Sequence, residues 1–344
     1  MTDSRPVAIT ASVPEFDVVV IGAGFAGLYA VHKFANLGFR VAGFEKGGDV
    51  GGVWYWNRYP GARCDCESYY YSYSFSKELE QDWSWSLKYS EQPEILQYLS
   101  HVADRFDLRK YFRFSTAVEK LHFSDESGLW TIQSSRGDSV TARFVVSAAG
   151  CLSEIQRPKI PGIERYKGEV LYTAAWPHEG ADLKGKRVGI IGTGASGVQA
   201  VSRIARVAEQ LTVFQRTANW VIPVWNAPMS AEFDRWVKEH YGEIRERCLA
   251  SQGGVPFGPP EAAALELTSE GQQALLNKYW DLGGTRFFSA FTDAFTNIEA
   301  NEIVCEFVRN YIRRVVKDPE VANTLIPTDH PIGTKRPPMD DDYY

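Results

Sequence analysis

The chain has 344 residues, and 44% of them are hydrophobic against 23% charged. At roughly 150 residues per domain this allows two domains, and the balance excludes disorder, collagen and coiled coil as overall descriptions. The 37 basic and 43 acidic residues leave a net charge of −6, so no global basic field attracts nucleic acid or anionic lipid. No run approaches the ~18 apolar residues of a membrane span. The polar stretch from Met1 to Phe16 lacks the basic start and apolar centre of a signal peptide, so the expected location is cytoplasmic. Five cysteines (Cys64, Cys66, Cys151, Cys248, Cys305) are scattered. Cys64-Asp65-Cys66 has no second pair or nearby His to give zinc spacing, so free thiols and no metal are expected.

In chain order, the β-branched run Asp17–Ile21 reads as a buried parallel strand. It enters Gly22-Ala23-Gly24-Phe25-Ala26-Gly27 and then a helix with Leu28, Val31, Phe34 and Leu37 on one face, stopped by Gly38. A second strand, Phe39–Phe44, ends on Glu45. Next come a helix with Pro93 in its first turn and Ile95, Leu96, Leu99 and Val102 inward, and a strand at Phe144–Gly150 that closes the unit. The Pro/Gly-rich stretch Arg157–Gly162 is a crossing point. The design then repeats: strand Arg187–Ile191, turn Gly192-Thr193-Gly194-Ala195-Ser196-Gly197, a helix with Val198, Val201 and Ile204 inward, and strand Leu211–Phe214.

After Trp225 the composition changes. Ser251–Pro260 is a Gly/Pro loop, and Ser269-Glu270-Gly271-Gln272 reads as a capping box. Its helix turns Leu275, Leu276, Tyr279 and Leu282 inward; a further helix carries Val304, Phe307, Tyr311 and Val315 and ends before Pro319. The fold class is therefore α/β, with two Rossmann-like dinucleotide-binding domains and a mostly helical insert in the second. The expected boundaries are 1–15 for a flexible N-terminus, 16–150 for the first domain, 151–225 with 331–344 for the second, and 226–330 for the insert.

Each G-x-G-x-x-G follows a strand and opens a helix, which is the context that gives the motif meaning. The first Gly makes the tight turn, the second lets backbone approach a pyrophosphate, and the third packs helix on strand. Phosphate then sits on the free N–H groups of the helix N-terminus. Glu45 lies 23 residues beyond Gly22, and the same step from Gly192 reaches Gln215, followed by Arg216. A carboxylate at the strand end accepts from ribose hydroxyls, whereas Gln-Arg removes repulsion and offers a cation to a 2′-phosphate. The first site thus fits FAD and the second NADP, and hydride transfer requires the two cofactors to meet in a cleft.

Gly51-Gly52-Val53-Trp54-Tyr55-Trp56-Asn57-Arg58-Tyr59-Pro60-Gly61-Ala62-Arg63-Cys64-Asp65 resembles the long fingerprint of the type I Baeyer–Villiger monooxygenases, the class B flavoproteins that include the phenylacetone, steroid and cyclohexanone monooxygenases. Tyr166-Lys167-Gly168, with Tyr172, Trp176 and Pro177, stands where that family has its short signature. Gly168, Trp176 and Pro177 hold, but the family pattern has Phe at Tyr166 and His at Tyr172. A phenol still donates a hydrogen bond but lacks the imidazole's charge change near neutrality. The likeness extends to Gly333-Thr334-Lys335-Arg336-Pro337.

The resemblance implies that Gly22, Gly24, Ala26, Gly27, Glu45, Val53, Trp54, Tyr55, Trp56, Asp65, Tyr71 and Val118 line FAD. It implies that Arg63, Cys64, Asp65, Thr193, Gly194, Ala195, Ser196, Gly197, Val198, Gln199, Arg216, Thr217 and Lys335 contact NADP. Arg336 matches the catalytic arginine, with Asp65 orienting it. A guanidinium does not act as a base in proteins but stabilises an anion in a water-poor cleft. The implied reaction is NADPH- and O2-dependent conversion of an apolar ketone to an ester or lactone through a C4a-peroxyflavin. Family members continue beyond Tyr344 to complete the FAD domain, so the resemblance implies a chain truncated at its C-terminus. Two other readings stay open: oxygenation of nitrogen or sulfur, and an inactive fragment that binds nucleotide at most. The aromatic clusters Tyr69–Phe75 and Trp83–Tyr89 are expected in the core rather than in a substrate pocket.

Overall fold

A computed structural model describes residues 13–344; most of the stretch read as a flexible N-terminus, residues 1–12, lies outside the described residues. The chain divides into two compact units, one running up to Arg58 and resuming at Ile95–Trp176, the other made of Tyr59–Glu94 and Pro177–Tyr344. Residues 59–94, within the expected span 16–150, group with the second unit.

The first unit begins with β1 (Phe16–Ile21), α1 (Phe25–Asn36), β2 (Val41–Phe44) and a single-turn helix α2 (Val53–Trp56). Within the 59–94 segment lies α3 (Lys77–Asp82), capped by the Ser76 hydroxyl, and the division between units falls in the first turn of α4 (Gln92–Arg105). The first unit resumes with β3 (Phe112–Arg113), β4 (Val118–Ser124), β5 (Leu129–Ser134) and β6 (Ser139–Ser147). They form one six-stranded mixed sheet in the order β3-β2-β1-β6-β5-β4. β1 pairs in parallel with β2 and β6, while β5 pairs antiparallel with both β4 and β6. Val18 and Val19 face Val41 and Ala42 on one side and Phe144 and Val145 on the other. Val18–Val20 are therefore buried on both faces, which is why this run is continuous valine rather than alternating.

Three local expectations differ here. Leu37 is the C-cap of α1, not part of its inner face, and is 60% exposed. The closing strand is Ser139–Ser147 rather than 144–150, since pairing with β5 begins at Ser139. The second strand starts at Val41, and Phe39 is exposed.

The second unit contains β7 (Arg187–Ile191), α5 (Ala195–Ile204) and β8 (Gln210–Phe214), a parallel two-stranded sheet with its connecting helix. A second full Rossmann sheet was expected; two strands are present instead. Residues 151–186 form only short 3-10 turns, and the chain after β8 turns helical. That helical part comprises α6 (Ala231–Ala250), α7 (Ser269–Leu282), α8 (Ile298–Val315) and α9 (Pro319–Leu325). Their caps are chemically explicit: Ser230 accepts from the Phe233 amide, Asn297 from Glu299 and Ala300, and Asp318 from Glu320 and Val321 with Pro319 at the start of α9. For α7 the cap is Thr268, one residue before the expected Ser269, and Gln272 donates outward to the Ala264 and Leu267 carbonyls. The inner face of α7 is Leu276 and Trp280, while Leu282 is exposed. Trp280 packs with Phe287, Phe307 and Tyr311 beside Val304, Val308 and Ile312.

The chain leaves toward α6 and returns after α9 at one place. The Ile222 amide donates to the Pro338 carbonyl at 3.0 Å, and the Asp340 amide to the Ile222 carbonyl at 3.1 Å. Beyond that, the Asp341 carboxylate accepts the amides of Val224, Trp225 and Asn226 at 2.7, 2.7 and 2.9 Å. These bonds hold Trp225 at φ +48°, an uncommon backbone for a residue with a bulky side chain. Among the described residues, no helix is long and apolar enough to cross a membrane.

Candidate active site and nucleotide-binding turns

In the first unit the turn after β1 needs its glycines sterically. Gly22 has φ +102°, and a Cβ on Gly27 would lie 1.8 Å from the Gly22 carbonyl oxygen. α1 opens on Gly24 with no side-chain cap and no acidic residue in its first turn, so its leading N–H groups and dipole are left for an anion. The buried Glu45 carboxylate, at the end of β2, accepts from the Ala23 amide at 2.7 Å and the Gly47 amide at 2.6 Å. It ties the strand end to the glycine turn, and each oxygen keeps a further lone pair for a hydroxyl donor. In α2, Trp54 is buried, the Tyr55 hydroxyl accepts from the Gly48 amide, and Lys46 stands over the Trp56 ring. Val53 is half-buried, as is Val118 at the start of β4, and Ala26 is exposed on α1. Tyr71 and Arg63–Asp65 belong to the second unit.

The turn after β7 has the same form. Gly192 has φ +99°, a Cβ on Gly197 would meet the Gly192 carbonyl oxygen at 2.3 Å, and α5 opens on an uncapped Gly194 without acidic neighbours. The Thr193 hydroxyl donates to the Thr217 carbonyl and Asn219 donates to the Thr193 carbonyl, fastening the turn to the chain beyond β8. Ala195 and Ser196 are half-buried at the start of α5, and Val198 is fully buried. Gln215 donates to the Thr324 carbonyl. Arg216 and Lys335 are exposed, and among the described residues Arg216 has no ion-pair partner.

A polar strip in the second unit joins three segments. The Tyr59 hydroxyl donates to Gln199 Oε1 at 2.8 Å, and Gln199 Nε2, buried on α5, donates to the Arg63 carbonyl at 3.3 Å and Asp65 Oδ1 at 3.2 Å. Arg63 is enclosed: its Nη2 donates to Asp340 Oδ2 at 2.6 Å and to the Met339 carbonyl at 3.0 Å. Ser202, also on α5, donates to Asp340. The remaining Asp65 oxygen accepts from Arg336 Nη2 at 3.0 Å. The two partners differ in exposure, the Asp65 side chain at 8% and that of Arg336 at 74%. Burial pushes the Asp65 carboxyl above its usual range, with Arg336 and then Arg63 pulling against it. The result is a guanidinium free on one side and held on the other by a carboxylate that α5 positions.

The structure thus brings together Asp65, Arg336, Arg63 and Gln199. It keeps Arg63 bound to Asp340, a partner that no motif or periodicity in the sequence pointed to. The internal roles of Tyr59 and Gln199 were likewise missed. Their only sequence signal is position, Tyr59 inside the long fingerprint and Gln199 on the helix of the second glycine turn. Among the described residues, no cluster of His, Cys, Asp or Glu is arranged to hold a metal ion.

The flavin-binding monooxygenase-like family matches residues 16–237. A Baeyer-Villiger monooxygenase from Pseudooceanicola batsensis is 44% identical over 335 residues, covering 96% of this chain and 61% of that protein. A phenazine N-monooxygenase from Lysobacter antibioticus is 41% identical over 332 residues, with the same coverage of each. Among solved structures, an oxidized steroid monooxygenase bound to NADP superposes with a TM-score of 0.93 at 52% identity, over 96% of this chain and 63% of that one. The chain spans about 61% of the length of the curated relatives it matches.

Proposed function

This chain belongs to the flavin-binding monooxygenase-like family, and from its likeness to a Baeyer-Villiger monooxygenase we propose that it is of the type I Baeyer–Villiger branch and serves NADPH- and O2-dependent oxidation of an apolar ketone to an ester or lactone. The observation that carries this reading is the Asp65–Arg336 pair, fixed by Gln199 from the helix of the second glycine turn.

Both cofactors fit the residues present. The first turn offers an uncapped helix, a glycine where a Cβ would obstruct, and a carboxylate with lone pairs to spare, which suits the diphosphate and ribose of FAD. Gly22, Gly24, Gly27 and Glu45 would hold these groups, with Ala26, Val53–Trp56, Tyr71 and Val118 against the remainder. Around the second turn, residues 151–225 and 331–344 would make the NADP half, with Thr193–Gln199, Thr217 and Lys335 as contacts and Arg216 on the 2′-phosphate. Residues 226–330 would be its insert. When bound, the flavin supplies the redox chemistry between nicotinamide, dioxygen and substrate.

The chain's own residues bind and orient. The Arg336 guanidinium donates hydrogen bonds to oxygen that gains negative charge as a carbonyl is attacked. Asp65 fixes the guanidinium in one orientation and moderates its charge. Its burial makes that restraint stiff, since an unpaired carboxylate there costs more than a solvated one. Gln199 links the pair to α5, so nucleotide contact at the glycine turn and the position of Arg336 share one helix.

A visible absorption spectrum before and after anaerobic NADPH tests both sites: flavin bands that bleach support the reading, and a protein that cannot be reconstituted with FAD refutes it for this chain. Arg336→Ala should still be reduced by NADPH yet form no ester; ester formation at an undiminished rate overturns the role. The likeness to a phenazine N-monooxygenase favours a second reading, oxygenation of an aromatic nitrogen. N-oxide formation without ester from matched substrates would select it.

A further inference from the structure

Asp65 is flanked by two thiols. The Cys66 amide donates to Cys64 Sγ at 3.4 Å, so the Cys64 sulfur is folded back onto the backbone of Cys66. The backbone bends at Asp65 and Cys66. Fully extended, residues two apart stand at most about 7 Å apart between Cα atoms. A disulfide takes roughly 4.4–6.8 Å, so a bent segment is within range.

The two sulfurs are not equivalent. Cys64 is buried, and the neighbouring Cys66 together with burial pushes its thiol up. Cys66 is half-buried. The neighbouring Cys64 thiol and the charge of Arg336 favour its thiolate, against burial and the Asp65 charge. Cys66 is thus the reachable nucleophile and Cys64 the neighbour able to resolve it.

We propose that Cys64 and Cys66 are a modification site, a dithiol that hydrogen peroxide closes to a disulfide and that thereby withdraws Asp65 from Arg336. In the first step the Cys66 thiolate attacks one peroxide oxygen. The O–O bond breaks, an S–O bond forms, sulfur loses two electrons, and the other oxygen leaves as hydroxide. In the second, the Cys64 sulfur attacks the sulfenic sulfur, an S–S bond forms, and the hydroxyl leaves with the Cys64 proton as water. Overall, two thiols and one peroxide give one disulfide and two waters. Asp65 is the sole residue inside the closed ring, so ring closure resets its backbone torsions and the direction of its carboxylate. The consequence for turnover rests on the function proposed above; the disulfide does not.

The test uses the reduced full chain, treated with hydrogen peroxide and mapped by peptide mass. The expected product loses two hydrogens between Cys64 and Cys66 and is restored by a phosphine reductant. Cys64→Ser should instead leave a Cys66 sulfenic acid that dimedone traps. Direct conversion of Cys66 to sulfinic acid with Cys64 unchanged, or a pair that stays reduced while Cys151 is oxidised, overturns the proposal. Phenylglyoxal labelling of Arg336 reads the coupling: it should quicken several-fold on oxidation, and equal rates refute the withdrawal of Asp65. If the reduced chain forms no ester at all, the proposed function fails while these mass results still decide the dithiol.

Discussion

The turn after β1 and the turn after β7 share a backbone and differ in support. Gly22 and Gly192 have φ of +102° and +99°, each helix opens on an uncapped glycine, and each third glycine lies where a Cβ would strike the first glycine's carbonyl. Yet β1 lies between two parallel neighbours in a six-stranded sheet, whereas β7 has one. Val18–Val20 are buried, while Ile191 and Phe214 are 66% and 58% exposed. Torsion in these turns therefore comes from the glycine spacing and not from the size of the sheet. Sheet size instead sets how far the surroundings yield when the turn is disturbed.

That contrast makes graded predictions. Gly27→Ala should be the most damaging, costing about 3 kcal/mol or more and abolishing flavin retention, because the colliding Gly22 carbonyl follows directly on a strand packed between two others. Gly197→Ala carries a similar collision but should cost about 2 kcal/mol, since the two-stranded sheet can shift. Equal urea midpoints for the two variants would show that sheet embedding does not control stiffness. Glu45→Gln should cost about 1.5 kcal/mol, because an amide replaces one acceptor with a donor facing the Ala23 or Gly47 amide. In the second copy, Arg216→Ala, one residue past the position that matches Glu45, should move stability by less than about 0.5 kcal/mol. It should nonetheless weaken NADPH binding roughly tenfold while leaving NADH nearly unaffected. Equal losses for both nucleotides would remove the 2′-phosphate assignment.

Much of this was legible in the sequence, for identifiable reasons. Strand Arg187–Ile191 and helix Ala195–Ile204 follow from a periodic apolar pattern bounded by glycine. The Asp65–Arg336 contact follows from matching two separated motifs to one family. Less was visible where the deciding partner is remote. The Arg63–Asp340 bond spans 277 positions, and no periodicity links them. The α7 cap shifted by one residue because Thr268 and Ser269 are both competent, and the choice depends on chain direction before the helix. Leu37 and Leu282 fit their helical stripes, but each lies at a helix end where the face no longer meets the core.

The three amides gathered by Asp341 have a further consequence. They close the excursion between Asn226 and Asp341, 115 positions apart, at a neck with the Ile222 and Asp340 bonds beside it. Loop-closure entropy rises only with the logarithm of length, so doubling such an excursion adds about 0.6 kcal/mol. Length inside the neck is thus thermodynamically cheap to change, whereas the neck itself is not. Insertions and grafts between α6 and α9 should be tolerated as long as the carboxylate at 341 keeps its three donors, which makes this module the place where the chain can diversify without retuning its nucleotide turns.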